Sequence, residues 1–139
     1  MKRYFLAAIS TIAIAAPALA DSNKNGLDLK QGNYDLATVD QVGDHNTNGA
    51  SISQLSTSNI VTLKQQGSYN VNYSQITQKG DVENKVTLTQ TGLSTANSAV
   101  VTQDGRTNET ILDQSGDNNV SWAQVIQTGT GSVAHITQK

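Results

Sequence analysis

The chain has no cysteine and a single proline, Pro17, close to its start. Without cysteine it has neither a disulfide framework nor a thiolate metal site, so an exported chain of this kind must be held together by other means. Past Pro17 every residue keeps its backbone N–H, so nothing interrupts a hydrogen-bonded ladder. Aromatic residues are scarce: beyond residue 20 only Tyr34, Tyr69, Tyr73 and Trp122 occur. Bases are scarce as well. Two of the nine, Lys2 and Arg3, stand at the start, leaving seven against eleven acids from Asp21 onward, a net charge of −4. That balance excludes the basic footprint expected of a nucleic-acid or anionic-lipid binder. The two histidines, His45 and His135, lack a spaced ligand set, which excludes a zinc site. Phosphate-loop and dinucleotide motifs, a nucleophile elbow and the nonapeptide of calcium-binding β-rolls are all missing. No catalytic residue, cofactor or metal is therefore expected.

The sequence has one long apolar run, Phe5 to Ala16. Lys2 and Arg3 precede it, and Pro17 and Ala18-Leu19-Ala20 follow. A charged start, an apolar stretch shorter than the roughly 20 residues needed to span a bilayer, and a small-residue cleavage site read as a secretory signal peptide over 1–20. The mature chain would begin at Asp21 and be exported.

What remains is dominated by Gln, Asn, Ser, Thr and Gly, a composition close to that of disordered polar chains. Its pattern argues otherwise. In Asn72-x-Ser74-x-Ile76-x-Gln78 and Asn84-x-Val86-x-Leu88-x-Gln90, an amide, two core-type residues and a glutamine fall on alternate positions. A period of two is that of a strand. The design recurs ten times, ending at Gln31, Gln41, Gln54, Gln65, Gln78, Gln90, Gln103, Gln114, Gln127 and Gln138. Long and short gaps alternate, so the unit is a pair of segments, and from Gln41 every second glutamine follows after 24, 25, 24 and 24 residues. The mature chain thus divides into five units, at about 25–41, 48–65, 72–90, 97–114 and 121–138 of a single 21–139 domain.

The two faces of each segment differ. Two and four positions before each Gln, eighteen of twenty residues are apolar, Ser74 and Thr110 being the exceptions; one and three positions before, only Val100, Ile111 and Ile126 are. One face is expected to be buried and the other wet. Six before Gln stand Asn25, Asn48, Asn59, Asn72, Asn84, Asn97 and Asn108, with Asp35, Ser121 and Ser132 as departures. Two after Gln stand Gly43, Gly67, Gly80, Gly92, Gly105, Gly116 and Gly129, the residue type that turns tolerate best.

A hairpin of such strands cannot bury its apolar face alone, but five can by stacking. The expected fold is all-β: a five-rung β-solenoid of strand–turn–strand repeats, with rungs about 4.8 Å apart and two facing parallel cross-β sheets. Buried Gln and Asn are affordable there because each carboxamide can bond its equivalent above and below. The solenoid ends in open strand edges without Pro or helical caps, and open edges accept another copy, giving head-to-tail filaments. Charges at turns and outer faces (Lys30, Asp40, Lys79, Asp81, Glu83, Asp104, Asp113) would restrain premature pairing.

The motifs Gln65-x-Gly67-x2-Asn70 and Asn97-x5-Gln103-x-Gly105-x2-Asn108-x5-Gln114 resemble the curlin repeat, and the resemblance covers residues 25–138. Curlin subunits build curli, the extracellular amyloid fibres of Gram-negative biofilms. The resemblance implies export through the periplasm, secretion through a dedicated outer-membrane pore, folding on joining a surface fibre, and a role in adhesion and biofilm matrix. It implies as partners other curlin subunits and the curli secretion and accessory proteins. Because only Asp21 to Lys24 precede Asn25, and because the last unit departs at Ser121 and Ser132, the chain is more similar to the minor, nucleating subunit than to the major one. Two alternatives remain: a major subunit forming the fibre bulk, and a monomeric β-solenoid that binds surfaces. The mixed outward rows, such as Thr62 with Lys64 and Ile111 with Asp113, count against the second.

Overall fold

The computed structural model describes residues 11–15, 24–55 and 57–139. The cleavage site Ala18-Leu19-Ala20 and the new N-terminus at Asp21 lie outside them. Among the described residues there is no helix. The eleven strands are β1 (Thr11–Ala15), β2 (Lys24–Lys30), β3 (Leu36–Val42), β4 (Thr47–Gln54), β5 (Ile60–Ser68), β6 (Val71–Val82), β7 (Lys85–Leu93), β8 (Ala96–Arg106), β9 (Glu109–Gln114), β10 (Val120–Thr130) and β11 (Val133–Gln138). Odd-numbered strands form one parallel sheet in the order β1-β3-β5-β7-β9-β11, and even-numbered strands form the other in the order β10-β8-β6-β4-β2. Each even strand and the odd strand after it make one turn of the chain, so β2 to β11 are five rungs of a β-solenoid.

Register follows the repeat. Gln54 lies on Gln78, Gln78 on Gln103 and Gln103 on Gln127 in the even sheet. In the odd sheet Gln41 lies on Gln65, then Gln90, Gln114 and Gln138. A slip of one residue would turn every aliphatic side chain outward, which is why the register is well specified.

Six strands outrun the expected seven residues, β6, β8 and β10 by most, with 12, 11 and 11. The reason is that pairing continues through the glycines, with Gly105 on Gly129. The β6–β8 register shifts between Lys79 and Val82. From Gln78 to Asn84 there is one residue more than from Gln103 to Asn108, and the surplus is taken up there.

The interior is two aliphatic residues wide. Ile52, Leu63, Ile76, Leu88 and Leu112 are its largest apolar members, all at most 1% exposed. Among the described residues 21 polar side chains are buried against 14 apolar ones. Apolar burial alone therefore does not account for the interior, and the hydrogen bonds of the buried amides must be complete.

The turns demand glycine most strongly where rungs touch. Gly67 has φ +143°, and a Cβ there would overlap the Gly92 carbonyl oxygen and Asn70 Nδ2. Non-glycine residues also take left-handed conformations at a recurring place: His45, Tyr69, Ser94 and Asn118 in one set of arcs, and Tyr34, Ser58, Glu83 and Thr107 in the other.

One strand falls within the segment read as a signal peptide. Thr11–Ala15 forms β1 and pairs in parallel with β3, from Thr11 on Leu36 to Ala15 on Asp40. An apolar, Ile-containing segment meets an unpaired edge, and an unpaired edge is a template for any such segment. In the first rung Ala37 and Val39 of β3 are 0% and 1% exposed, whereas Leu27 and Leu29 of β2, the end strand of the even sheet, are only partly buried.

Candidate functional site

The candidate site is the set of amide ladders together with the edges on which they end. Strands β3 to β11 each deliver a glutamine inward as the last residue of the alternating face, and Gln31 follows directly on β2. Gln54, Gln65, Gln78, Gln90, Gln103 and Gln114 are fully buried, and Gln41 and Gln127 nearly so. Gln138, in the last rung, is half-buried.

Along the stack, Nε2 of each glutamine donates to Oε1 of the glutamine one rung on. The bonds run Gln31 to Gln54 to Gln78 to Gln103 to Gln127, and Gln41 to Gln65 to Gln90 to Gln114 to Gln138, at 2.7 to 3.1 Å. All point toward the C-terminal rung. The second hydrogen of the same Nε2 crosses to the facing sheet: Gln54, Gln78, Gln103 and Gln127 donate to the carbonyls of Leu36, Ile60, Lys85 and Glu109 at 3.0 to 3.3 Å. Gln90, Gln114 and Gln138 do the same to Tyr73, Ser98 and Trp122 at 3.0 to 3.3 Å. The glutamines thus tie rung to rung and sheet to sheet.

The two polar exceptions in the aliphatic rows belong to this network. Ser74 Oγ accepts from Gln65 Nε2 at 3.1 Å and donates to Gln90 Oε1 at 2.9 Å. Thr110 Oγ1 accepts from Gln103 Nε2 at 3.1 Å and donates to Gln127 Oε1 at 2.8 Å. Each hydroxyl sits between two successive glutamines of the opposite sheet. Ser74→Ala is expected to cost about 1–2 kcal/mol in resistance of the folded material to denaturant, whereas Ser51→Ala, on the outward face of β4, should change nothing measurable.

The asparagines, which share one offset from glutamine, occupy two places. Asn48, Asn72 and Asn97 lie inside even strands and form a ladder. Asn48 Nδ2 donates to Asn25 Oδ1 (3.1 Å), Asn72 to Asn48 (3.0 Å) and Asn97 to Asn72 (3.1 Å), all toward the N-terminal rung. Asn59, Asn84 and Asn108 instead lie in arcs, because the odd strands start later, at Ile60, Lys85 and Glu109. There each carboxamide clamps the next rung's backbone. Asn84 Oδ1 accepts from Asn108 N (3.2 Å), and its Nδ2 donates to Gly105 O (3.2 Å). Asn108 Oδ1 accepts from Ser132 N (3.0 Å), and its Nδ2 donates to Gly129 O (3.3 Å).

Sequence reasoning did not separate a further row of clamps in the other arcs. Asn46 Nδ2 donates to Gly67 O (2.6 Å) and its Oδ1 accepts from Asn70 N (2.9 Å). Asn70 repeats this with Gly92 O (2.7 Å) and Thr95 N (2.9 Å). The signal was present, since Asn46, Asn70 and Asn119 each stand five after a glutamine, with Thr95 as the variant. Among the described residues only Asp40 Oδ1 is buried without a partner.

The outer surface holds no cluster of three His, Cys, Asp or Glu able to bind a metal, among the described residues. His45 stacks on Tyr69 with ring centroids 4.9 Å apart, and Lys85 pairs with Glu109 across rungs at 3.1 Å. That pair is too exposed to contribute much. Tyr73 and Trp122 point outward on the even sheet.

No curated protein and no solved structure matches the chain. Residues 95–121 match the family model described as the curlin associated repeat. That stretch contains β8, β9, the Gly105 and Gly116 turns, and the amides Asn97, Gln103, Asn108 and Gln114. Residues 95–121 thus carry a curlin associated repeat, and the same residue types recur at the same spacing through the other rungs.

Proposed function

We propose that the chain, once relieved of residues 1–20, polymerises rung on rung into extracellular cross-β fibres of the curli type, serving surface adhesion and biofilm matrix. We place it nearer the nucleating, minor subunit than the bulk-forming one. The observation that carries this reading is the polarity of the ladders. β10 and β11 end the two sheets at one end of the solenoid, and β2 ends the even sheet at the other. Glutamine ladders arrive at the C-terminal rung with donors directed onward. Two copies meeting by their C-terminal rungs would set donor against donor. A C-terminal rung meeting the N-terminal rung of the next copy continues the glutamine and aliphatic rows, and such an association does not close on itself. The departures at Ser121 and Ser132 support the minor assignment.

The test uses the chain from Asp21, incubated alone and with a major-type curlin, followed by thioflavin fluorescence and electron microscopy. Fibres with a meridional reflection near about 4.8 Å, and seeding of the major-type chain at substoichiometric amounts, are expected. Persistent soluble monomer would remove the fibre reading; fibres without seeding would favour the bulk-forming role. Because β1 occupies the edge of β3, the chain retaining residues 1–20 should also elongate fibres several-fold more slowly than the chain from Asp21.

A further inference from the structure

Every row of amides that joins one rung to the next can be followed to the C-terminal rung, and they do not all reach it. Both glutamine ladders do, through Gln127 and Gln138. Both rows of asparagine that should accompany them stop one rung short. The strand ladder Asn25–Asn48–Asn72–Asn97 is followed by Ser121, an inward residue of β10 that is 7% exposed. The arc row Asp35, Asn59, Asn84, Asn108 is followed by Ser132. Its N–H is held by Asn108 Oδ1, but it has no carboxamide to hold the rung beyond.

We propose that Ser121 and Ser132 make the C-terminal face a deliberately weakened docking surface for the N-terminal rung of a second copy. They set how readily one copy adds to the next. This rests on the rung-on-rung reading above. Stacked in register, the even sheet would place Ser121 on the second copy's Asn25, and the arc would place Ser132 on its Asp35. Inside the chain, the asparagine at Asn108 reaches the next rung twice, to a backbone N–H and to a glycine carbonyl. Inside the chain, Asn48 likewise offers Oδ1 to Asn72. At the junction Asn25 Nδ2 of the second copy would find a hydroxyl on a side chain one heavy atom shorter, and Asp35 N would find no carboxamide. The junction then keeps its backbone ladders, aliphatic rows and glutamines, and lacks the side-chain contacts made along the steps from Asn25 to Asn97 and from Asp35 to Ser132.

The surface favours a second copy over any other partner because everything else on it matches. β10 and β11 present parallel edges in the register of β2 and β3, and Ala123, Val125, Ala134 and Ile136 face the columns of Leu27, Leu29, Ala37 and Val39.

The test is the critical concentration for polymerisation of the chain from Asp21, and its elongation rate on wild-type seeds, for Ser121→Asn, Ser132→Asn and the double variant. Ser51→Asn, the same chemical change on the outward face of β4, is the control. Each asparagine restores one or two hydrogen bonds across the junction. The double variant should therefore lower the critical concentration by about tenfold and raise the elongation rate, with Ser51→Asn within about twofold of wild type. A double variant that matches Ser51→Asn, or polymerises less readily than wild type, overturns the proposal while leaving rung-on-rung growth intact. Absence of fibres from wild type and variants alike removes the stacking reading and this inference with it.

Discussion

Gln103→Ala is expected to raise the critical concentration for fibre growth by about a hundredfold, equivalent to about 3 kcal/mol. Gln103 has four hydrogen-bonding partners. Its Oε1 accepts from Gln78 Nε2 (2.9 Å), and its two Nε2 hydrogens are spread over Lys85 O (3.0 Å), Thr110 Oγ1 (3.1 Å) and Gln127 Oε1 (2.9 Å), so that one of them is shared. Alanine leaves the Lys85 carbonyl without its cross-sheet donor, interrupts the ladder between Gln78 and Gln127, and opens a void in a site that is 0% exposed. A buried polar group stripped of its partner costs about 1–3 kcal/mol, and the void adds to that. The neighbouring Thr102 points outward, so Thr102→Ala should stay within about 0.5 kcal/mol. Gln78→Ala against Thr77→Ala is the same comparison one rung earlier. Critical concentration, measured as the soluble fraction at plateau, reads all four variants. Equal effects at Gln103 and Thr102 would mean that the glutamine ladder is not what joins the rungs.

Gly67→Ala should be at least as damaging, for a different reason. Gly67 has φ +143°, outside the range of L side chains, and the added Cβ would collide with the Gly92 carbonyl and with Asn70 Nδ2. Those two groups are bonded to each other at 2.7 Å, so the methyl group would be driven into a clamp between rungs. Neither can withdraw cheaply, since one is backbone and the other is anchored by Thr95 N on its oxygen. The expected outcome is a chain that does not stack, without fibres at concentrations where wild type converts fully. Gly129→Ala is the matched comparison. Its φ is +96° but nothing lies within 4 Å of the added carbon. Within one chain it carries only backbone strain, about 1–3 kcal/mol, so the solenoid should still form, read as β-sheet content, whereas Gly67→Ala should not form it. If the two glycine variants lose β-sheet content alike, conformational strain and not rung contact sets the requirement.

The ladder also explains how a chain with so few large apolar residues makes an ordered interior. The aliphatic rows are narrow, and among the described residues most buried side chains are polar. Stacking equivalent residues lets each carboxamide meet a complementary partner, so polar burial carries little penalty. Ser74 and Thr110 show the same logic at smaller scale, each facing a pair of glutamines where an aliphatic residue would leave those bonds unmade.

By itself the sequence determined the period, the parity and the number of rungs. Alternation of two says which side chains share a face, and a recurrence of about 24 residues says which ones stack; both are properties of spacing, and a parallel in-register stack preserves spacing. The tertiary structure alone decided what depends on where the arcs bend. Asn59 and Asn72 share one offset from glutamine, yet the first clamps an arc and the second lies in a strand, because the odd strands begin later. The crossing of each glutamine to the facing sheet depends on how close the two sheets lie, the pairing of β1 with β3 on which edge was left open, and the places of Ser74 and Thr110 on contacts between strands that no linear spacing encodes. Those are distances between segments, and they exist only once the chain has coiled.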